Sequence, residues 1–309
     1  MTTLVVGRGL LGRAVLAVLA SRGDVVHTVD VPWGTHHAAV EALRRAADRT
    51  AAHGPWRLIW TAGSGVIATG EAELQAELAM FEAFLERLSM PPTAMFLASS
   101  AGGVYAGSVD APPFTERSAV GTASPYGRTK LAMEAAVTEV ARGGTRVLIG
   151  RIANLYGPGQ NLAKPQGLVS QLCVSHLTRQ PVMIYASMDS LRDYVFVSDA
   201  AWTAVSGLER ISHAEPGVVT VKIIASGISR SVGSVIGEST RAFRRRPNLV
   251  MRRAVDQVMD LRMRSTTWPD LDLQVDHLPF GVGLRRTSDD IGRQMRAGTL
   301  SHPTARPRA

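Results

Sequence analysis

The sequence contains one cysteine, Cys173. A single thiol excludes an internal disulfide framework and fits a reducing compartment. No apolar run reaches the roughly 18 residues of a transmembrane helix, so no membrane partner is expected. The N-terminus lacks the charged, apolar and small-residue succession of a secretory signal, and a cytoplasmic protein is expected. Zinc-ligand spacings, helix-turn-helix patterns and aromatic-basic RNA motifs are missing, so neither a metal nor nucleic acid is expected. Lysine is also scarce: of 34 basic residues, only Lys130, Lys164 and Lys222 are lysine. Arginine therefore serves wherever a plain positive charge suffices. Each retained lysine asks what a compact ammonium of tunable proton affinity does there.

What is present is enough for a sizeable core. The 309 residues are 45% hydrophobic, which fits one large globular domain or two unequal ones. The net charge of +8 is unevenly placed. Residues 1–220 carry 18 basic and 18 acidic side chains, whereas residues 221–309 carry 16 against 8. A basic third beside a neutral remainder points to an anionic ligand or partner, or to arginine-rich codon usage.

Apolar runs and helical periodicity alternate along the first half. Strands are expected at Thr3–Val6, Val25–Val29, Leu58–Trp60, Ala94–Leu97 and Arg146–Ile149. Helices are expected at Arg13–Ser21, Glu41–Ala52, Glu71–Leu88 and Pro125–Ala141. Leu74, Leu78, Phe81, Leu85 and Leu88 share one face of the third of these. Strictly alternating strands and helices predict a parallel sheet covered on both faces. Beyond Gly150 the rhythm loosens, with helices expected at Gly167–Thr178 and Ser231–Phe243 and strands at Asp193–Val197 and Val218–Ile224. The fold class expected is α/β: a Rossmann-like doubly wound parallel sheet with a smaller C-terminal substrate lobe. The expected division is a dinucleotide-binding domain at 1–165, an interleaved lobe at 166–298 and a disordered tail at 299–309.

Two motifs carry chemistry. In Gly7-Arg8-Gly9-Leu10-Leu11-Gly12 a strand precedes, a helix follows, and Asp30 closes the next strand. This is the context that gives a glycine turn its meaning. Gly7 permits the turn, Gly9 lets backbone approach a pyrophosphate, and Gly12 allows close helix packing. The helix N-terminus offers free N–H groups to the phosphates. Asp30 would accept from adenosine ribose hydroxyls, which favours NAD over NADP, although Arg8 could welcome a 2′-phosphate. The second motif is Ser124-Pro125-Tyr126-Gly127-Arg128-Thr129-Lys130. Tyr126 and Lys130 stand four apart, on one helix face. An ammonium beside a phenol favours phenolate, which makes tyrosine a usable acid and base near neutral pH.

Together these residues resemble an extended short-chain dehydrogenase/reductase, and more narrowly the NAD-dependent epimerase/dehydratase family of nucleotide-sugar enzymes. The resemblance spans about residues 3–298. Ser99–Tyr105, Phe114-Thr115-Glu116, Arg151–Gly159 and Arg192–Asp199 are similar to family segments and occur in family order. It implies Tyr126 as acid/base, Lys130 also on the nicotinamide ribose, and Ser99 or Ser100 on the reacting oxygen. Asn154, Arg192 and Tyr194 would face the substrate, with Arg192 on a diphosphate. Thr61, Ala62 and Gly63 would join Gly7–Gly12 and Asp30 around the cofactor. A homodimer through Glu71–Leu88 and Pro125–Ala141 is expected. The chain departs from the pattern at several points. Its first glycine pair is one residue closer, and only about 30 residues separate Asp30 from Thr61, with no evident third strand. Ala101 stands where the family places Ser or Thr, and the helix Glu71–Leu88 lacks the usual Asn. The function expected is NAD(P)-dependent epimerase/dehydratase chemistry on a sugar nucleotide. The alternatives are a carbonyl reductase of a simpler substrate or a non-catalytic NAD(P)-binding protein.

Overall fold

The computed structural model describes residues 1–63, 65, 69–162, 167–252 and 258–298. The tail expected at 299–309 and Lys164 lie outside the described residues. Six strands form one sheet: β1 Thr2–Val6, β2 Val26–Thr28, β3 Trp56–Trp60, β4 Ala94–Ser100 and β5 Arg146–Ile152, with a later strand, Val219–Ile224, at the far edge. Two short strands fall between, β6 Asn154–Tyr156 and β7 Val182–Ile184, then β8 Leu191–Phe196, so the edge strand is β9. The order is β2-β1-β3-β4-β5-β9, and every pairing in it is parallel.

Helices cover both faces, which is why β1 and β3 are buried along their whole length. On one face lie α2 His36–Ala51, α3 Glu71–Glu86 and, after the short α4 Ala101–Tyr105, α5 Pro125–Ala141. Their side chains Leu43, Phe81, Phe84, Met133 and Val137 close over Leu58, Trp60 and Leu97. On the other face α1 Leu10–Ser21 packs beside a later helix, Val197–Ser212, through Leu11, Val15, Leu19, Ala204 and Leu208. The helix Leu168–Thr178 precedes it in the chain, so these are α7 and α6. The fold is thus a doubly wound Rossmann-like sheet. From β2 the chain runs through α2 straight into β3, which pairs with β1. Among the described residues no further strand extends the sheet beyond β2, which is its edge.

A third core, built on Leu172, Val235, Phe280 and Leu284, joins α6 to α8 Val232–Phe243 and α10 Phe280–Arg296. The strand pairs β10 Ser229–Ser231 with β8, and β11 Leu249–Met251 with β7, belong to the same region. β12 Asp260–Leu261 and α9 Pro269–Leu273 lead back to the sheet. Lys222 on β9 fastens that return. It is fully buried and donates to Ser265 Oγ at 3.0 Å and Thr267 O at 2.8 Å, with Asp272 Oδ1 at 2.8 Å. Three convergent acceptors suit a compact three-donor ammonium and not a planar guanidinium. Among the described residues no helix is long and apolar enough to cross a membrane, and no cluster of three or more His, Cys, Asp or Glu could hold a metal ion.

Candidate active site

The chain leaves β1 through Gly7, whose φ of +97° is a left-handed conformation that glycine tolerates. A Cβ at Gly7 would lie 2.5 Å from the Ala62 nitrogen, and one at Gly12 would collide with the Gly7 carbonyl. Thr61 pins the turn by donating from Oγ1 to the carbonyls of Val6 at 3.1 Å and Gly7 at 2.9 Å. Leu11 points into the core, so the turn presents backbone outward. Gly9 caps α1 without any side-chain bond, and a Cβ added there meets nothing within 4 Å. The open N–H groups of α1 therefore face a cleft of about 590 Å³, lined by Gly7, Gly9, Trp33, Gly63, Glu77 and Met80 among others. Arg8, on its wall, forms an ion pair with Asp30, and their side chains are 51% and 85% exposed.

A second cleft, of about 540 Å³, opens on the other side of the same turn. Leu10, Gly65, Ser100, Tyr126, Asn154 and Arg192 are on its wall. Ser124 caps α5 by accepting from Gly127 N at 3.1 Å, with Pro125 in the first turn. This cap sets Tyr126 at the helix mouth. Its ring lies against two glycines: a Cβ at Gly103 would stand 3.1 Å from the ring and one at Gly65 3.5 Å. One turn on, Lys130 is buried, with Nζ 5.7 Å from the Tyr126 ring centroid. Its charge partner is Glu77 of α3, whose Oε1 is 3.8 Å away. The other oxygen of Glu77 accepts from Gly65 N at 3.2 Å. Glu77 is the site residue that the sequence did not reveal. Its partners come from a loop after β3 and from α5, and no spacing within α3 points to either.

The two candidate serines part company. Ser100 lines the second cleft and caps α4, accepting from Gly103 N at 3.1 Å. Ser99, one residue earlier on a strand, faces the opposite way. It is buried and donates to Glu134 Oε1 at 2.5 Å. Glu134 is also paired with Arg151 at 2.7 Å, and Arg151 donates to the Tyr105 hydroxyl at 2.7 Å. Burial of Tyr105, only partly offset by Arg151, pushes its pKa up. Ser99 thus belongs to a closed polar network beneath the site, not to the cleft. Ala101, in the family's Ser/Thr position, is fully buried, which leaves Ser100 as the hydroxyl on offer.

Asn154 lines the cleft and also ties β6 to β8, donating from Nδ2 to the Asp193 carbonyl at 3.1 Å. Arg192 forms no ion pair with Asp193 or Asp199. Its guanidinium donates to the carbonyls of Leu191 at 2.8 Å and Val258 at 2.7 Å, and burial lowers its pKa. Tyr194 is buried on the same wall, and burial pushes its phenol up to about 12. Behind Ser100, a small cavity of about 70 Å³ reaches Asp193. That carboxylate is 1% exposed, accepts from Ser226 N at 2.8 Å and leaves its other oxygen unpartnered. Burial pushes its pKa up to about 6.

With this geometry in view, the relatives fall into place. The sequence matches the NAD dependent epimerase/dehydratase family over residues 3–221, and the chain belongs to that family. It is 32% identical over 121 residues to a dTDP-4-dehydro-6-deoxyglucose reductase of Escherichia coli. That match covers 38% of this chain and spans only 37% of the relative's length. Among solved structures, the fold is similar to the UDP-glucose 4-epimerase of Thermus thermophilus in complex with NAD. The TM-score is 0.79 at 21% identity, over 94% of this chain and 99% of that one. It is equally similar to the UDP-glucose 4-epimerase of Thermotoga maritima with UDP-glucose. Here the TM-score is 0.80 at 20% identity, over 96% and 100%.

Proposed function

We propose that the protein is an NAD-dependent enzyme that oxidises or reduces a carbon of a sugar nucleotide, as in epimerisation or dehydration. The observation that carries this reading is Tyr126 beside Lys130 at the point where the glycine-turn cleft and the Asn154–Arg192 cleft flank one turn. The first cleft fits a dinucleotide. Gly9 leaves open space over the uncapped N-terminus of α1, and Asp30 stands ready for ribose hydroxyls. NAD bound there would supply the hydride chemistry. Tyr126 is assigned the proton at the reacting hydroxyl, Ser100 a hydrogen bond to the same oxygen, and Lys130 the nicotinamide ribose. Asn154 and Arg192 are assigned to the substrate, with Arg192 on its diphosphate. The E. coli relative's name favours one alternative, a reductase.

The first measurement is the nucleotide retained on purification, identified by mass spectrometry. The second is a screen of UDP- and dTDP-sugars with NAD, followed at 340 nm and by product analysis. Turnover that survives Tyr126→Phe unchanged would sink the assignment. A dinucleotide bound without turnover of any sugar nucleotide or simple ketone would leave a binding protein.

A further inference from the structure

The basic surplus of the last third is not used up by the two clefts of the reaction site. A third cleft, of about 120 Å³, lies in the C-terminal core where α6 and α8 both end. Its wall includes His176, Arg179, Ser239, Phe243, Arg245 and Arg246. No carboxylate lines it, and none of its three arginines forms an ion pair among the described residues. Two helix C-termini bring about one unit of negative partial charge between them. Three guanidinium groups outweigh that, so the cleft stays cationic.

Its floor is shaped for a ligand. The His176 ring stacks flat on Phe243, with centroids 4.2 Å apart at 10°. Its Nδ1 is buried without a partner, which is costly unless something outside the chain completes it. Burial, helped by the charge of Arg245, holds the His176 pKa down. A cleft of about 120 Å³ admits a tetrahedral oxyanion.

We infer that this cleft, formed by Arg179, Arg245, Arg246 and His176, binds a small phosphate-bearing oxyanion. Planar guanidinium forks match phosphate oxygens bidentately. The site is independent of the reaction proposed above, because none of its residues lines either reaction cleft. It does share elements with one of them. α6 carries Leu168, Ser170 and Gln171 to the substrate cleft, and β11, just past the arginines, pairs with β7, whose Met183 and Ile184 line it.

The test titrates the full chain with sodium phosphate against sodium chloride at matched ionic strength, because screening alone moves exposed charges. Calorimetry gives the affinity and thermal unfolding the stabilisation. Phosphate is expected to bind and to raise the midpoint beyond chloride. Arg245→Ala/Arg246→Ala is expected to bind at least about 10-fold more weakly, and the double lysine variant to fall between. Should the double alanine variant not fold, Arg179→Ala replaces it. Glycerol 3-phosphate run alongside separates a phosphate ester from free phosphate, since the natural source binds tighter. Equal effects of phosphate and chloride overturn the inference, as does an unchanged response in the variants. A short oligonucleotide that binds where phosphate does not would overturn it in favour of a nucleic-acid surface.

Discussion

Glu77 and Lys130 form a buried ion pair, 3.8 Å from Oε1 to Nζ, that ties α3 to the active-site helix one turn from Tyr126. The side chains are 11% and 7% exposed, so neither charge has water as an easy substitute. Truncation of one buried partner strands the other and costs about 3–5 kcal/mol. Glu77→Ala is expected to destabilise within that range, and Glu77→Ala/Lys130→Met to recover part of the loss. Urea unfolding of the double-mutant cycle measures the coupling. Additive effects would mean that the pair does not hold the helices together.

Lys130 is expected to resist replacement even by arginine. Lys130→Arg keeps the charge but puts a broad fork in a pocket shared with Glu77, Met133 and the Tyr126 ring. Once a substrate is found, turnover is expected to fall on the order of 10²-fold or more. Tyr126→Phe should lose at least as much, and the double variant little more, because the two act as a unit. Wild-type turnover by Lys130→Arg across the pH range would refute the Tyr–Lys mechanism.

The Arg8–Asp30 pair is expected to set cofactor choice and to add little stability. Exposed pairs contribute about 0–1 kcal/mol, and these side chains are 51% and 85% exposed. Asp30→Ala removes the ribose acceptor and frees Arg8. The ratio of NADPH to NADH affinity should rise on the order of 10-fold, read by fluorescence titration. The unfolding midpoint should hardly move. Wild-type preference for NADPH would reverse the roles of the two residues.

Asp193 gives a pH signature in stability. Its folded-state pKa of about 6 lies above the unfolded value of about 3.9. The folded protein holds a proton that the unfolded chain releases, so this group's contribution falls as pH rises from about 4 to 6. At 1.36 kcal/mol per pKa unit the ionised form costs on the order of 3 kcal/mol at pH 7. His277 works in the same direction. Asp199, in a long contact of 3.6 Å to its Nδ1, holds its pKa up. That stability is present below the unfolded value and is lost as pH climbs through the folded one. Asp193→Asn should gain on wild type between pH 4 and 7.5 in parallel urea titrations. Parallel pH dependence in the two proteins would mean that Asp193 is not ionised at a cost.

The parts legible in the sequence are those set by local rules. The glycine turn, the capped α5 and the alternating strands follow from backbone sterics, capping chemistry and hydrophobic period, and they lie where those rules place them. The short span of about 30 residues between Asp30 and Thr61 showed no further strand, and among the described residues β2 is the sheet edge. Two helices lacked a start signal, not a period. α7 begins directly after β8 at Val197 with no side-chain cap, although Ser198, Trp202, Ser206, Glu209 and Arg210 share its less buried face. α10 follows Pro279, again with no side-chain cap, and is Arg- and Gly-rich; its apolar stripe of Phe280, Leu284 and Ile291 packs in the third core. The serine pair was ambiguous in sequence because adjacent strand residues differ only in which face they take, and pairing with β5 settles that.

The Lys222 clasp bears on how the chain completes itself during synthesis. The sheet's last strand ends at Ile224, but the acceptors of its buried ammonium, Ser265, Thr267 and Asp272, are made more than 40 residues later. Until they emerge from the ribosome, seating β9 against β5 strands a positive charge in an apolar interior. The edge strand is therefore committed only once the segment through Asp272 exists. A nascent chain stalled before Ser265 should leave β5 as an exposed sheet edge, the position at which unfinished parallel sheets recruit foreign strands.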